Sequence, residues 1–178
     1  MVAYHDEEWG RQVHDDRLLF EFIVLEGAQA GLSWRTILSR RDAYRTAFAD
    51  FDPERVARFS RRKAEALLKN GGIIRNRLKI EGAIANARAY LALREKGQTL
   101  DAFMWAFVDG KLVVNRWKRS SQIPASTPLS DAMSKAMKQA GFTFFGTTIC
   151  YAHMQAVGMV NDHLVTCFRH KPLALSAT

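Results

Sequence analysis

The sequence predicts an all-α fold, and three observations predict it. Apolar residues recur at three- and four-residue spacing through most of the chain. Ser, Thr, Asp or Asn stands ahead of nearly every such run, where a side-chain oxygen can accept from the free amides of a helix start. Only Asp109 to Leu129, which holds two of the four prolines, loses the helical period.

Asp15 and Asp16 open the first helix, where Leu18, Leu19, Phe22, Ile23 and Glu26 share one side. Gly27 and Gly31 are expected to weaken or end it. Ser33 caps a second helix running from Trp34 towards Phe48, with Trp34, Ile37, Leu38 and Tyr44 on its apolar face. Asp52 as cap and Pro53 at the first helical position start a third. Ser60 opens a short helix through Leu67 and Leu68, stopped by Asn70, Gly71 and Gly72. A longer helix follows from about Asn76 to Glu95, with Ile80, Ile84, Ala87 and Leu91 inward, and Thr99 then caps a short one bearing Phe103, Trp105 and Phe107. Val113, Val114 and Trp117 predict a short extended piece before a loop containing Pro124 and Pro128. Ser130 caps the next helix, Gly141 ends it, and a tight connection, GFTFFGTT, leads into the helix ICYAHMQAVG. No internal repeat or low-complexity tract interrupts this order.

The 178 residues fit one domain, 1–178, long enough to bury a sizeable core. At 48% hydrophobic residues the chain is not disordered, yet no run approaches the length of a membrane helix. The start, MVAYHDEEWG, lacks the hydrophobic centre of a signal peptide. Two cysteines exclude a disulfide framework and a four-cysteine metal site, which points to a reducing, cytoplasmic setting. The formal charge of +8 favours an anionic partner, nucleic acid first, although many basic enzymes bind no DNA.

Four constellations carry chemistry. The first is the helix, glycine-ended apolar hairpin and helix at about 130–158. Gly146 lets backbone approach a ligand there, and free amides at Thr147 and Thr148 point at an anion such as a DNA phosphate. An ordinary antiparallel helix pair gives the same pattern. Basic clusters at Arg61, Arg62 and Lys63, at Arg75, Arg77 and Lys79, and at Lys118 and Arg119 are suited to phosphates or to solvation of helix faces.

The second is Glu26, a carboxylate on an otherwise apolar face followed by Gln29 and Trp34. This arrangement suits a cationic or electron-poor ring held by stacking and a carboxylate hydrogen bond; a boundary position at solvent is the alternative. The third is Tyr4, His5, Glu8 and Trp9, in which Tyr4 and Trp9 are suited to line a ring pocket. The fourth places His163 and Cys167 four residues apart, both zinc-type ligands, with His5 able to join them from the other chain end. His14, His153, His170 and Cys150 are substitutes for a fourth ligand, and a core thiol beside a surface histidine is the competing reading.

Together AYHDEEWG, LEGAQAGLSW, GGIIRNRLKI and GFTFFGTTICYAHMQAVGMVNDH make the chain resemble the DNA-3-methyladenine glycosylase I family of helix-hairpin-helix glycosylases over nearly its whole length. The resemblance implies a helix-hairpin-helix glycosylase fold of two closely packed helical lobes. It implies a monofunctional, monomeric enzyme that hydrolyses the N-glycosidic bond of N3-methyladenine in alkylated double-stranded DNA and leaves an abasic site. The base-recognition acid falls on Glu26, the aromatic pocket on Tyr4, Trp9 and Trp34, and the phosphate-holding hairpin on Gly141 through Thr148. No organic cofactor is implied. Zinc ligands fall on His5, His163 and Cys167, while the family's upstream cysteine, and a pocket tryptophan near it, have no counterpart in this sequence. The incomplete set predicts weakened or absent zinc rather than a closed structural site. The resemblance also warns against giving the superfamily's catalytic aspartate role to Asp162. The competing functions are a non-catalytic helix-hairpin-helix DNA-binding protein and a helical metabolic enzyme with an anionic substrate.

Overall fold

Side-chain caps set where the helices begin. In the computed structural model, which describes residues 1–175, Asp15 accepts from the Leu18 amide at 2.8 Å and opens α1 (Asp16–Gln29). Ser33 caps α2 (Trp34–Leu38) through the Thr36 amide, and α3 spans Arg41–Ala47. Asp52 caps α4 (Pro53–Ala57) and Ser60 caps α5 (Arg61–Leu68). Asn76 caps α6 (Arg77–Glu95) and Thr99 caps α7 (Leu100–Trp105). The series continues with α8 (Pro128–Gln139), α9 (Thr147–Ala156) and α10 (His170–Leu175). The fold is all-α apart from β1 (Val113–Val114), which pairs in parallel with β2 (Val160–Asn161). No described helix is long and apolar enough to cross a membrane.

Three expectations need correction. The run from Trp34 to Phe48 is two helices, because the Ser39 hydroxyl donates to the Thr36 carbonyl and Arg40 leaves helical backbone at φ −112°, ψ 3°. The cap of α8 is Thr127, not Ser130. Pro128 takes the first helical position, and Ser130 stands third, its hydroxyl accepting from the Thr127 amide at 2.9 Å in a reciprocal box. Gly27 does not end α1 but lies within it.

The reason for Gly27 is tertiary. Helix α1 is buried nearly all round, with Leu19, Phe20, Phe22, Ile23, Val24 and Leu25 all in the core, so α2, α6, α7 and α9 pack on its different faces. The α8–α9 connection also rests on it. There Phe144, in left-handed backbone at φ +54°, seats its side chain between two helices at glycines. A Cβ on Gly82 of α6 would lie 2.6 Å from the Phe144 ring, and one on Gly27 would lie 3.3 Å from the Phe144 Cβ. Buried Asn86 of α6 completes the clamp: its Oδ1 accepts from the Thr143 amide at 2.7 Å and its Nδ2 donates to the Thr143 carbonyl at 3.1 Å. Gly141, at φ +96°, turns the chain out of α8 as expected of a glycine after a helix end.

Candidate active site

Four elements converge on one cleft. A π-helical turn, Tyr4–Glu8, closes with the Trp9 amide donating to the Tyr4 carbonyl at 2.8 Å and presents Tyr4 and Trp9 on one side. Helix α1 contributes Glu26 and Gln29, the start of α2 contributes Trp34, and α9 contributes Gln155 with Ala152 and Ala156, whose small side chains leave the space open. The cavity measures about 130 Å³. That is well below the roughly 300–1,000 Å³ of common small-molecule pockets and is on the scale of one planar base.

The N-terminal turn is fastened on two sides. Arg41 donates to Glu8 at 2.7 Å and to buried Glu21 of α1 at 2.6 Å, and Arg45 donates to Glu21 at 3.0 Å. Beyond the turn, the Val13 amide donates to the Val157 carbonyl at 3.0 Å, and the indole of Trp105 donates to the Val13 carbonyl at 2.9 Å. The Tyr4 and Trp34 rings meet at 5.7 Å, tilted, and the Trp34 Nε1 is buried with no hydrogen-bond partner among the described residues. Burial, then the carboxylates of Glu26 and Glu8, push the Tyr4 hydroxyl far above its ordinary range, so it keeps its proton.

Glu26 is 2% exposed, which excludes a boundary position at solvent. Its Oε2 lies 2.7 Å from Nδ1 of His153, itself fully buried on α9. Burial raises the Glu26 carboxyl above its ordinary value, and the His153 contact opposes that shift.

Asp162 has a different environment. Asn115 Nδ2 and Trp117 Nε1 each donate to its Oδ1 at 2.7 Å, while Tyr151 Oη and Gln155 Nε2 donate to its Oδ2 at 2.7 and 2.8 Å. Four donors occupy the lone pairs of both oxygens, so the carboxylate ties the β1 segment to α9 and has none left to activate water. With the Gln155 amide nitrogen donating to Asp162, its carbonyl oxygen has no partner among the described residues and lies at the edge of the cleft.

The opposite side of Trp9 borders His5, His163 and Cys167, whose ligand atoms lie within 4.8 Å of one another. Cys167 Sγ is 3.4 Å from His163 Nδ1 and 3.6 Å from His5 Nε2, close to the about 3.5 Å between ligand atoms of a tetrahedral zinc. The outer nitrogens are oriented to match. His163 Nε2 faces the Trp9 carbonyl at 3.3 Å and His5 Nδ1 faces Asp6 at 2.6 Å, so each donates outward and leaves a lone pair facing the thiol. Burial lowers His163 to about 4, which keeps the ring neutral as a ligand requires. The donor set therefore fits zinc with three protein ligands. The substitute ligands lie elsewhere: His14 pairs with Asp101, His170 with the Asn115 carbonyl and His153 with Glu26, while Cys150 is wholly buried.

At the hairpin, the first turn of α9 has no side-chain cap, and the space beyond Gly146 is open. Gly146 has ordinary backbone at φ −66°, so its value there is access rather than conformation. Thr148 is exposed, but the Thr147 hydroxyl is taken: it donates to Asp131 at 2.5 Å and meets Ser130 at 2.9 Å. That leaves Thr147 its backbone amide, at the uncapped start of α9, as the group able to meet an anion. Lys79, grouped by sequence with phosphate-facing cations, instead donates to the Ala28 and Ala30 carbonyls at 2.8 and 2.6 Å and finishes the C-terminal end of α1.

Sequence reasoning missed Gln155, Asn86 and the pairing of His153. Their partners lie 7, 57 and 127 residues away, and only Gln155 has a local signal, seven residues before an acid.

The family profile described as Methyladenine glycosylase matches residues 1–170. The DNA-3-methyladenine glycosylase 1 of Escherichia coli (strain K12) is 51% identical over 166 residues, covering 93% of this chain and 89% of that protein. A crystal structure of 3-methyladenine DNA glycosylase I superposes with a TM-score of 0.94 at 53% identity, over 95% of this chain and 93% of that one. A variant of such an enzyme, crystallised in complex with 3-methyladenine, superposes with a TM-score of 0.92 at 32% identity, over 95% and 91%. With the profile spanning nearly all of it and half its residues shared with a relative of similar length, this chain belongs to the methyladenine glycosylase family.

Proposed function

We infer that this chain is a DNA-3-methyladenine glycosylase: it hydrolyses the N-glycosidic bond of N3-methyladenine in alkylated double-stranded DNA and leaves an abasic site, acting as a monomer. The observation that carries the reading is a buried carboxylate, Glu26, on the floor of a base-sized cleft walled by Tyr4, Trp9 and Trp34. A protein that only bound DNA would have no use for that costly buried charge.

Methylation at N3 makes the base cationic and therefore a good leaving group. The damaged nucleotide rotates out of the duplex, at a cost of a few kcal/mol that is smallest for a damaged base. Its ring is held against the aromatic walls. Glu26 accepts from the exocyclic amino group, an interaction charge-assisted on both sides. The C1′–N9 bond then breaks with its electron pair going to N9. The base leaves neutral, and the positive charge passes to an oxocarbenium-like sugar close to the same carboxylate. Water adds to C1′ and loses a proton. None of the residues lining the cleft offers an amine for a covalent sugar intermediate, which supports a monofunctional reaction.

The free amides at the start of α9, beside open space at Gly146, support binding of a backbone phosphate near the lesion. His5, His163 and Cys167 would hold a zinc, which when bound would supply structure rather than chemistry on the side of the cleft formed by Trp9.

The test is release of free base from methylated duplex DNA. The wild-type chain is expected to release 3-methyladenine without strand scission, and Glu26→Gln to release it about 10²-fold more slowly, the loss of a charged hydrogen bond plus its electrostatic contribution. No release by folded wild-type protein would remove the reading; equal release by the variant would remove the role given to Glu26.

A further inference from the structure

We propose that His153 is a positioning residue for Glu26: a neutral imidazole, protonated on Nδ1 alone, that holds the carboxylate ionised and aimed into the base cleft. For its catalytic consequences the proposal rests on the glycosylase reading above; the protonation state does not depend on it.

The assignment follows from the two ring nitrogens. Nδ1 lies 2.7 Å from Glu26 Oε2, while Nε2 is buried with no partner among the described residues. The ring stands edge-on to Phe145 at 5.2 Å and to Phe22 at 6.4 Å, so its surroundings are aromatic. A proton on Nε2, in the other tautomer or in imidazolium, would be a donor buried without an acceptor. A proton on Nδ1 alone donates to the carboxylate and leaves at Nε2 only a lone pair, the cheaper group to leave unpaired.

Two consequences reach the cleft. Oε2 is engaged and Oε1 has no hydrogen-bond partner among the described residues, so one defined oxygen is left for the ligand. A neutral His153 also leaves the negative charge on Glu26 uncancelled. The other groups around it do not neutralise it. Tyr4, from the N-terminal turn, and Cys150, on α9, are both pushed to higher pKa partly by Glu26 itself. Lys79 of α6 is spent on the Ala28 and Ala30 carbonyls, and Arg41 and Arg45 of α3 on Glu8 and Glu21. The cleft thus presents an uncompensated carboxylate whose counter-ion is the ligand. That favours a base carrying positive charge over neutral adenine of nearly the same shape.

Base release by wild type, His153→Phe and His153→Asn is to be followed between about pH 5 and pH 9, alongside ¹⁵N NMR of His153 in the wild-type protein. Asn places an amide donor near the position of Nδ1; Phe removes the donor and keeps the ring. Without the donor the carboxylate is held less well, so it protonates at higher pH. In folded His153→Phe, kcat/KM is expected to fall about 10- to 100-fold at neutral pH, the worth of one hydrogen bond to a charged group, and the acidic limb of the profile to move up by about one to two pH units. His153→Asn is expected to recover much of both effects. A residue that merely filled space would leave the limb in place, so a folded Phe variant with the wild-type profile overturns the proposal. If that variant does not fold, the NMR decides. A proton on Nδ1 with bare Nε2 near neutral pH supports the proposal, and a proton on Nε2 overturns it. Wild-type protein that released no base would instead defeat the glycosylase reading, with the NMR result still deciding the tautomer.

Discussion

In the glycosylase reading proposed above, Glu26 sets function against stability at a single position. Its carboxyl has a folded-state pKa raised by burial above the ordinary 4.5. The folded chain therefore holds that proton more tightly than the unfolded one, and the stability this contributes is present at acid pH and lost as pH rises through the raised value. Glu26→Gln removes the charge while keeping an oxygen that can accept from His153. The variant is expected to be more stable than wild type at pH 7.5, with the gap closing as pH falls towards the ordinary carboxyl value of 4.5. Thermal unfolding at the two pH values checks this, and a destabilised variant at pH 7.5 would show that the carboxylate is net favourable where it stands. At this scale much of the cleft was legible in the sequence, because an acid on an apolar helix face beside aromatics conflicts with local burial rules unless something uses it. Tyr4, Trp9, Glu26 and Trp34 do line one cavity. His153 was legible only as a spare metal ligand, since nothing within 100 residues of it hints at Glu26, its partner 127 residues away.

At the scale of elements, local chemistry and tertiary contact separate cleanly. Ser33, Asp52, Ser60 and Thr99 cap the helices they were expected to open, and Asp15 and Asn76 prove to be caps as well, because a cap bonds to an amide two or three residues on. The break at Ser39 and Arg40 was not legible, since apolar spacing continues through it while Arg40 reaches the Gly71 carbonyl at 2.8 Å across the fold. Gly27 and Gly82 were misread or unread for the same reason: both are small for the sake of Phe144, in a hairpin far along the chain. The hairpin's position thus depends on α6. Gly82→Ala gains up to about 1 kcal/mol of helix propensity. Against that, the added Cβ meets a ring at 2.6 Å with Thr143 Oγ1 at 3.1 Å behind it, and overpacking of this kind costs about 1–3 kcal/mol. The clash is expected to win. Urea unfolding should show net destabilisation and duplex affinity should fall, while a stabilised variant would mean that the hairpin can shift without penalty.

Across the whole molecule, residues from two far-separated parts of the sequence meet beside one small cleft, on the other side of Trp9. His5 belongs to the N-terminal turn and His163 and Cys167 to the segment after β2, so zinc would close a link across 162 positions of sequence. With three protein ligands it is expected to be lost to EDTA, with a lower melting temperature that added zinc restores; one zinc per chain retained through prolonged chelation would point to a closed site. In the proposed function the charge of +8 has a separate role, on the duplex rather than on the base. Affinity for duplex DNA should come mainly from released counter-ions, so four phosphate contacts would make it fall about 100-fold between about 50 and 200 mM salt. Free 3-methyladenine meets only the cleft, whose carboxylate is buried and poorly screened, and its affinity should change little over the same range. Titrating both ligands at a series of salt concentrations separates the two functions of the surface. A duplex affinity as flat as that of the free base would mean that the basic residues merely solvate helix faces, while parallel steep losses would place the base on the open surface instead of in the cleft beside Glu26.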